Sequence, residues 1–137
     1  MTTPTRAFSS WPWHAATALL LLLLTLGLSA CGGSSETAAD TVTIDSLTSS
    51  PSAPQSGSPV SVVAAVTGTL GSASTSGTVT YLWTQTSGPS VTLSGTTAAT
   101  VYFTAPAVTT STAVVLTLTA TMNAVSASKS ITITVSP

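Results

Sequence analysis

The side chains able to do chemistry in this chain of 137 residues are few. They are the one cysteine, Cys31, the one histidine, His14, the carboxylates Glu36, Asp40 and Asp45, and an amine late in the chain, Lys129, set between Ser128 and Ser130. A thiol can be acylated or attack, and an imidazole can act as general base or zinc ligand. Two carboxylates can hold calcium with backbone carbonyls, and a lysine can activate a neighbouring serine. The spacing removes most of these reactions. His14 precedes a leucine-rich run and leaves no histidine further along the chain. Ser128, Lys129 and Ser130 lead into the last predicted strand, where neighbours point to opposite faces, and an unburied edge or loop lysine keeps its proton at neutral pH. Asp40 and Asp45 could share a calcium only with backbone carbonyls completing its six to eight oxygens, and they read instead as solvated charges. No catalytic residue, metal site or cofactor site is predicted. Cys31 is left as the residue whose surroundings point to a modification.

Those surroundings are a targeting segment. Arg6 and the amino terminus supply a short positive region, followed by an apolar run from Ala15 to Ala30 with Leu19 to Leu24 uninterrupted. The run is shorter than the roughly 20 residues of a permanent span and suits a signal-peptide core, with the small residues Ser29 and Ala30 placed for a signal peptidase. Leu28-Ser29-Ala30-Cys31 resembles the lipobox of bacterial lipoproteins, in which cleavage between the last small residue and the cysteine precedes lipidation. The resemblance implies cleavage between Ala30 and Cys31, fatty acyl (palmitate-type) modification of Cys31 and attachment to the cell envelope. Several acyl chains on one residue anchor firmly, whereas one anchors marginally. A lone thiol in an exported chain also has no internal disulfide partner, which fits modification. An uncleaved anchor with an incidental thiol is the competing reading, and the run length and small residues argue against it. Gly32, where an aspartate would imply inner-membrane retention in two-membrane bacteria, leans the resemblance toward the outer membrane.

From Cys31 onward the chain suffices for one small domain. Gly32 to Ala39 lacks apolar periodicity and reads as a flexible tether, so residues 31–40 form the lipidated cysteine and tether, and the folded domain covers 41–137. With Lys129 as the only basic side chain of this part, no patch exists to neutralise phosphates, and nucleic acid is excluded as a partner. Ser and Thr abound, but regularly spaced Val, Leu and Ile argue against a disordered stalk.

Short alternating runs bounded by Gly, Pro and Ser predict strands at Thr41 to Ile44, Pro59 to Val66, Thr78 to Gln85, Ser90 to Leu93, Thr100 to Thr104, Ala113 to Thr121 and Ser130 to Val135. No amphipathic helix follows Cys31. The prediction is an all-β fold, an immunoglobulin-like antiparallel β-sandwich of about seven strands behind a signal-peptide helix and tether. Period-two spacing sends Val60, Val62, Ala64 and Val66, Leu116, Leu118 and Ala120, and Ile131, Ile133 and Val135 to the core. Thr117, Thr119, Thr132 and Thr134 then face water. Trp83 is predicted to be buried, and Tyr102, between the inward Val101 and Phe103, to face solvent. Gly68 to Gly77 is predicted to be the longest mobile loop.

The stretch from Tyr81 to Ser94, with Trp83 and Gly88-Pro89, followed by Phe103-Thr104-Ala105-Pro106, resembles PKD-type and related immunoglobulin-like repeats of cell-surface proteins. The likeness covers roughly Val42 to Ser136. It departs from the commoner pattern where Thr86-Ser87-Gly88-Pro89 replaces an acidic turn, which removes the basis for carrying over a calcium role. Members of that group serve as spacers, adhesion modules or carbohydrate-adjacent domains. The resemblance therefore implies a non-catalytic, lipid-anchored envelope protein whose domain binds or spaces an envelope protein or glycan. A carbohydrate-binding surface module is the alternative, with Tyr102 as candidate partner contact.

Overall fold

The computed structural model describes residues Thr37–Pro137, which form one compact unit. They contain six strands and no helix: β1 (Thr41–Ser50), β2 (Pro59–Thr69), β3 (Thr80–Ser87), β4 (Thr100–Thr104), β5 (Thr112–Met122) and β6 (Val125–Val135). They assemble into two antiparallel sheets of three, ordered β1-β2-β4 and β3-β5-β6. The two sheets share one hydrophobic core, as in a sandwich.

Alternation builds that core. Val60 and Val62 of β2 and Val101 and Phe103 of β4 face Trp83 of β3, Leu116 and Leu118 of β5 and Ile133 and Val135 of β6. The inward positions predicted from period-two spacing are buried, except that Val66 and Ile131 are partly covered at the margins. No buried residue is polar or charged among those described. Trp83 retains 2% of its surface, and its indole Nε1 donates to the Ala98 carbonyl at 3.0 Å, which satisfies the polar end of the ring. The longest ladder joins β5 to β6 from Thr112↔Val135 to Met122↔Val125. Its turn places Asn123 at φ 53°, in the left-handed region that asparagine tolerates.

Six strands, not seven, is a correction. Ser90–Leu93 is not a strand, because its backbone is engaged by a side chain. The Gln85 Nε2 donates to the Pro89 carbonyl at 2.7 Å and the Ser87 carbonyl at 3.1 Å, while its Oε1 accepts from the Val91 N–H at 3.0 Å. Only Ser94 pairs, as an isolated antiparallel bridge to Tyr102. β1 also runs on beyond Ile44, because a register shift between Ile44 and Ser46 changes its phase and brings Leu47 against the core. β6 starts at Val125, ahead of the predicted Ser130.

A candidate binding groove at Tyr102

Local geometry around Tyr102 follows from two neighbours with different demands. On one side β4 pairs with β2, setting Ser61 opposite Tyr102 and Pro59 opposite Thr104. On the other side Tyr102 exchanges both backbone bonds with Ser94, each 2.9 Å. Antiparallel alternation turns the N–H and C=O of Thr104 to that same side, away from Pro59, which has no N–H to offer. Continuing the Ser94 register would bring Thr92 beside Thr104. Instead Gln85 draws Pro89 and Val91 toward β3, and the Trp83 N–H holds the Thr96 carbonyl at 2.8 Å. The chain therefore splays away from β4 and leaves a gap where the seventh strand would have closed.

That gap is an open groove of about 650 Å³ lined by Ser50, Pro59, Val60, Ser61, Thr92, Ser94, Tyr102, Phe103 and Thr104. Its lining carries no charge. Tyr102 is 51% exposed, as its position between two inward residues predicts. The hydroxyls around it are loosely held: Ser61 Oγ reaches the Ser50 carbonyl only at 3.4 Å and Ser94 Oγ the Tyr102 carbonyl only at 3.5 Å, where a hydrogen bond is weak. The arrangement offers one aromatic face, several neutral donor-acceptors and the free edge of a short strand. It suits non-covalent recognition of an uncharged polar ligand.

The other candidate residues lie elsewhere and do not converge. Lys129 stands opposite Leu118 and so occupies an inward position on edge strand β6. Its ammonium crosses to the other sheet and donates to the Asp45 carbonyl at 2.8 Å and the Ile44 carbonyl at 3.2 Å, at the β1 irregularity. An inward lysine at an edge also discourages strand addition there. Ser128 and Ser130 point the opposite way and share hydrogen bonds with Thr119 at 3.0 Å and Thr117 at 2.8 Å. Lysine and serines are thus held on opposite faces of β6.

Asp40 and Asp45 act as separate acceptors, which revises their reading as merely solvated charges. Asp45 Oδ2 accepts from Thr67 Oγ1 at 2.7 Å. Asp40 accepts from Asn123 Nδ2 at 2.6 Å and from the Gly71 N–H at 2.7 Å. The Asn123 amide foremost, then the Gly71 N–H and the Ser74 hydroxyl, hold its carboxyl below the usual carboxylate range. Ala38 adds a carbonyl for the Ser72 N–H at 3.0 Å. Gly68 to Gly77 is consequently pinned at Gly71 and Ser72 by residues expected to belong to the tether and its end. A Cβ on Gly71 would collide with the Ala38 carbonyl. No group of three metal-ligating side chains forms among the described residues.

Ala30 and Cys31, with the signal-like run before them, lie outside the described residues. The roles of Gln85 and Ser94 escaped sequence reasoning. The one available signal was a long amide side chain two residues before a Ser-Gly-Pro turn, placed to bond the backbone that emerges from it. Comparison with known protein families, with curated proteins and with solved structures returns no match to this chain.

Proposed function

We propose that this protein is an exported lipoprotein, cleaved between Ala30 and Cys31 and held in the cell envelope by acyl chains on Cys31, whose folded domain is a non-catalytic binding or spacer module. The observation that carries this reading is the sequence Leu28-Ser29-Ala30-Cys31 closing an apolar run too short for a stable span. Gly32 directs the anchored protein to the outer membrane where the cell has two.

The domain is of immunoglobulin type. In that class strands A, B and E share one sheet and C, F and G the other, with D beside E. The order β1-β2-β4 and β3-β5-β6 supports this assignment, since it reproduces A-B-E and C-F-G, and the Ser94 bridge stands beside β4 where D would lie. Trp83 fills the core from the third strand, where that class often carries a buried tryptophan. The likeness of Tyr81 to Ser94 to PKD-type repeats supports the same class. Such sandwiches host many functions, so the module's role rests on its surface and its address.

The test is membrane fractionation of cells expressing the full chain or its Cys31→Ala variant, with metabolic labelling by an alkyne fatty acid. The wild type should carry the label and sediment with membranes, and the variant should lose both. Membrane retention of the unlabelled variant would refute the lipid anchor.

A further inference from the structure

We infer that the groove at Tyr102 is a binding site for a neutral saccharide, a ligand rich in hydroxyls and free of charge. This rests on the binding-module reading above and names its ligand class. Four observations carry it. The groove is open to solvent and offers about 650 Å³ above its lining, room for a few sugar rings laid along the surface. Its lining offers Ser61, Thr92, Ser94 and Thr104 as hydroxyl donor-acceptors without a single ionisable group other than the Tyr102 phenol. The backbone N–H and C=O of Thr104 turn toward it unpaired by β2, adding one fixed donor and one fixed acceptor. Tyr102 presents a ring half open to solvent on a strand clamped from both sides, so stacking a sugar face on it requires little further ordering.

The chemistry selects against other ligand classes. An acidic glycan or phosphate would meet no cation, since Lys129 is committed to the Ile44 and Asp45 carbonyls on β1. An extended peptide added to β4 would find the middle of the edge closed, because Tyr102 is already paired with Ser94. An interrupted edge is a poor platform for strand addition, which draws its affinity from a continuous row of such bonds.

The test uses the full-length protein purified in a zwitterionic detergent lacking a sugar headgroup. It is applied to an array of neutral and acidic oligosaccharides and of uncharged peptides, and the strongest neutral hit is titrated calorimetrically. At least one neutral oligosaccharide should bind. Tyr102→Ala should weaken that binding about tenfold or more, and Leu82→Ala, on the other sheet's exposed face, should leave it within about twofold. Tyr102→Phe, which keeps the ring, should retain most of the affinity, and circular dichroism checks that each variant is folded. Binding to acidic glycans or peptides alone, no binding at all, or equal affinity in wild type and folded Tyr102→Ala would overturn the site. Such a failure leaves the anchor untouched, because the Cys31→Ala fractionation reads that part independently.

Discussion

The outer faces of the two sheets are dressed in the same side chains and use them differently. On the β3-β5-β6 sheet the hydroxyls bond to one another: Thr117 to Ser130 at 2.8 Å, Thr119 to Ser128 at 3.0 Å and Thr86 to Thr117 at 3.1 Å. On the β1-β2-β4 sheet, around Tyr102, they make only long contacts and surround a groove. Register decides the difference. Thr117 and Thr119 stand directly opposite Ser130 and Ser128 on adjacent strands, close enough to pair. Ser61 stands opposite Tyr102, whose ring cannot answer a hydroxyl in that way, and Thr92 has no strand to stand on. A hydroxyl-rich surface thus yields one face where paired hydroxyls satisfy one another and, around Tyr102, a region whose hydroxyls stay able to meet a ligand.

The largest effect that bears on this contrast is Trp83→Ala. Trp83 belongs to the self-satisfied sheet, yet its indole and its N–H hold the Ala98 and Thr96 carbonyls ahead of β4, so it frames the open face as well. Its removal should cost about 3 to 5 kcal/mol in urea unfolding, enough to unfold a domain of this size. Next comes Gln85→Ala, which removes the bonds that draw Pro89 and Val91 away from β4. A loss of about 1 to 2 kcal/mol is expected, with faster amide exchange at Val91 and Leu93. Unchanged exchange there would show that the splayed segment needs no side-chain restraint. A smaller and sharper pair follows: Thr117→Val should destabilise by roughly 0.2 to 1 kcal/mol, whereas Ser61→Ala should be close to neutral. Equal costs would erase the distinction between the two faces.

Smallest is the pH effect of Asp40. Its carboxyl is held below the usual range in the folded chain, so its contribution is full above about pH 4 and is lost as pH falls through the lower folded-state value. The difference in thermal midpoint between wild type and Asp40→Ala should therefore be present at pH 7 and shrink as the pH is taken below about 4. A difference constant across that window would assign the role of Asp40 to something other than its charge.

How much of this was legible in the sequence depends on which residues carried the information. Where apolar residues keep strict alternation, as in Val60 to Ala64 and Leu116 to Ala120, faces and burial follow from the sequence, as they do for Trp83 inward and Tyr102 outward. Where the pattern breaks, alternation shows only part of the strand. The irregularity between Ile44 and Ser46 shifts β1 by one residue, so its second half looks out of phase with its first. The start of β6 is polar at most positions, and its one charged residue, Lys129, takes the position opposite the inward Leu118 while remaining exposed, so the alternation breaks there. Ser90–Leu93 failed in the opposite sense, for its alternation is good but Gln85 competes for its backbone, a preference no periodicity records. The groove was illegible for that reason, since it exists because a strand does not form. Likewise the pinning of Gly71 and Ser72 by Asp40 and Ala38 joins residues far apart in sequence through polar contacts without a pattern.

An acyl anchor at Cys31, as proposed, would set where both faces are displayed. The most direct test is the intact mass of the full-length gene product extracted from membranes. The expected species is a polypeptide that begins at Cys31 and carries the added mass of fatty acyl chains on that residue. A mass that retains residues 1–30, or one that begins elsewhere with an unmodified Cys31 thiol, would contradict it.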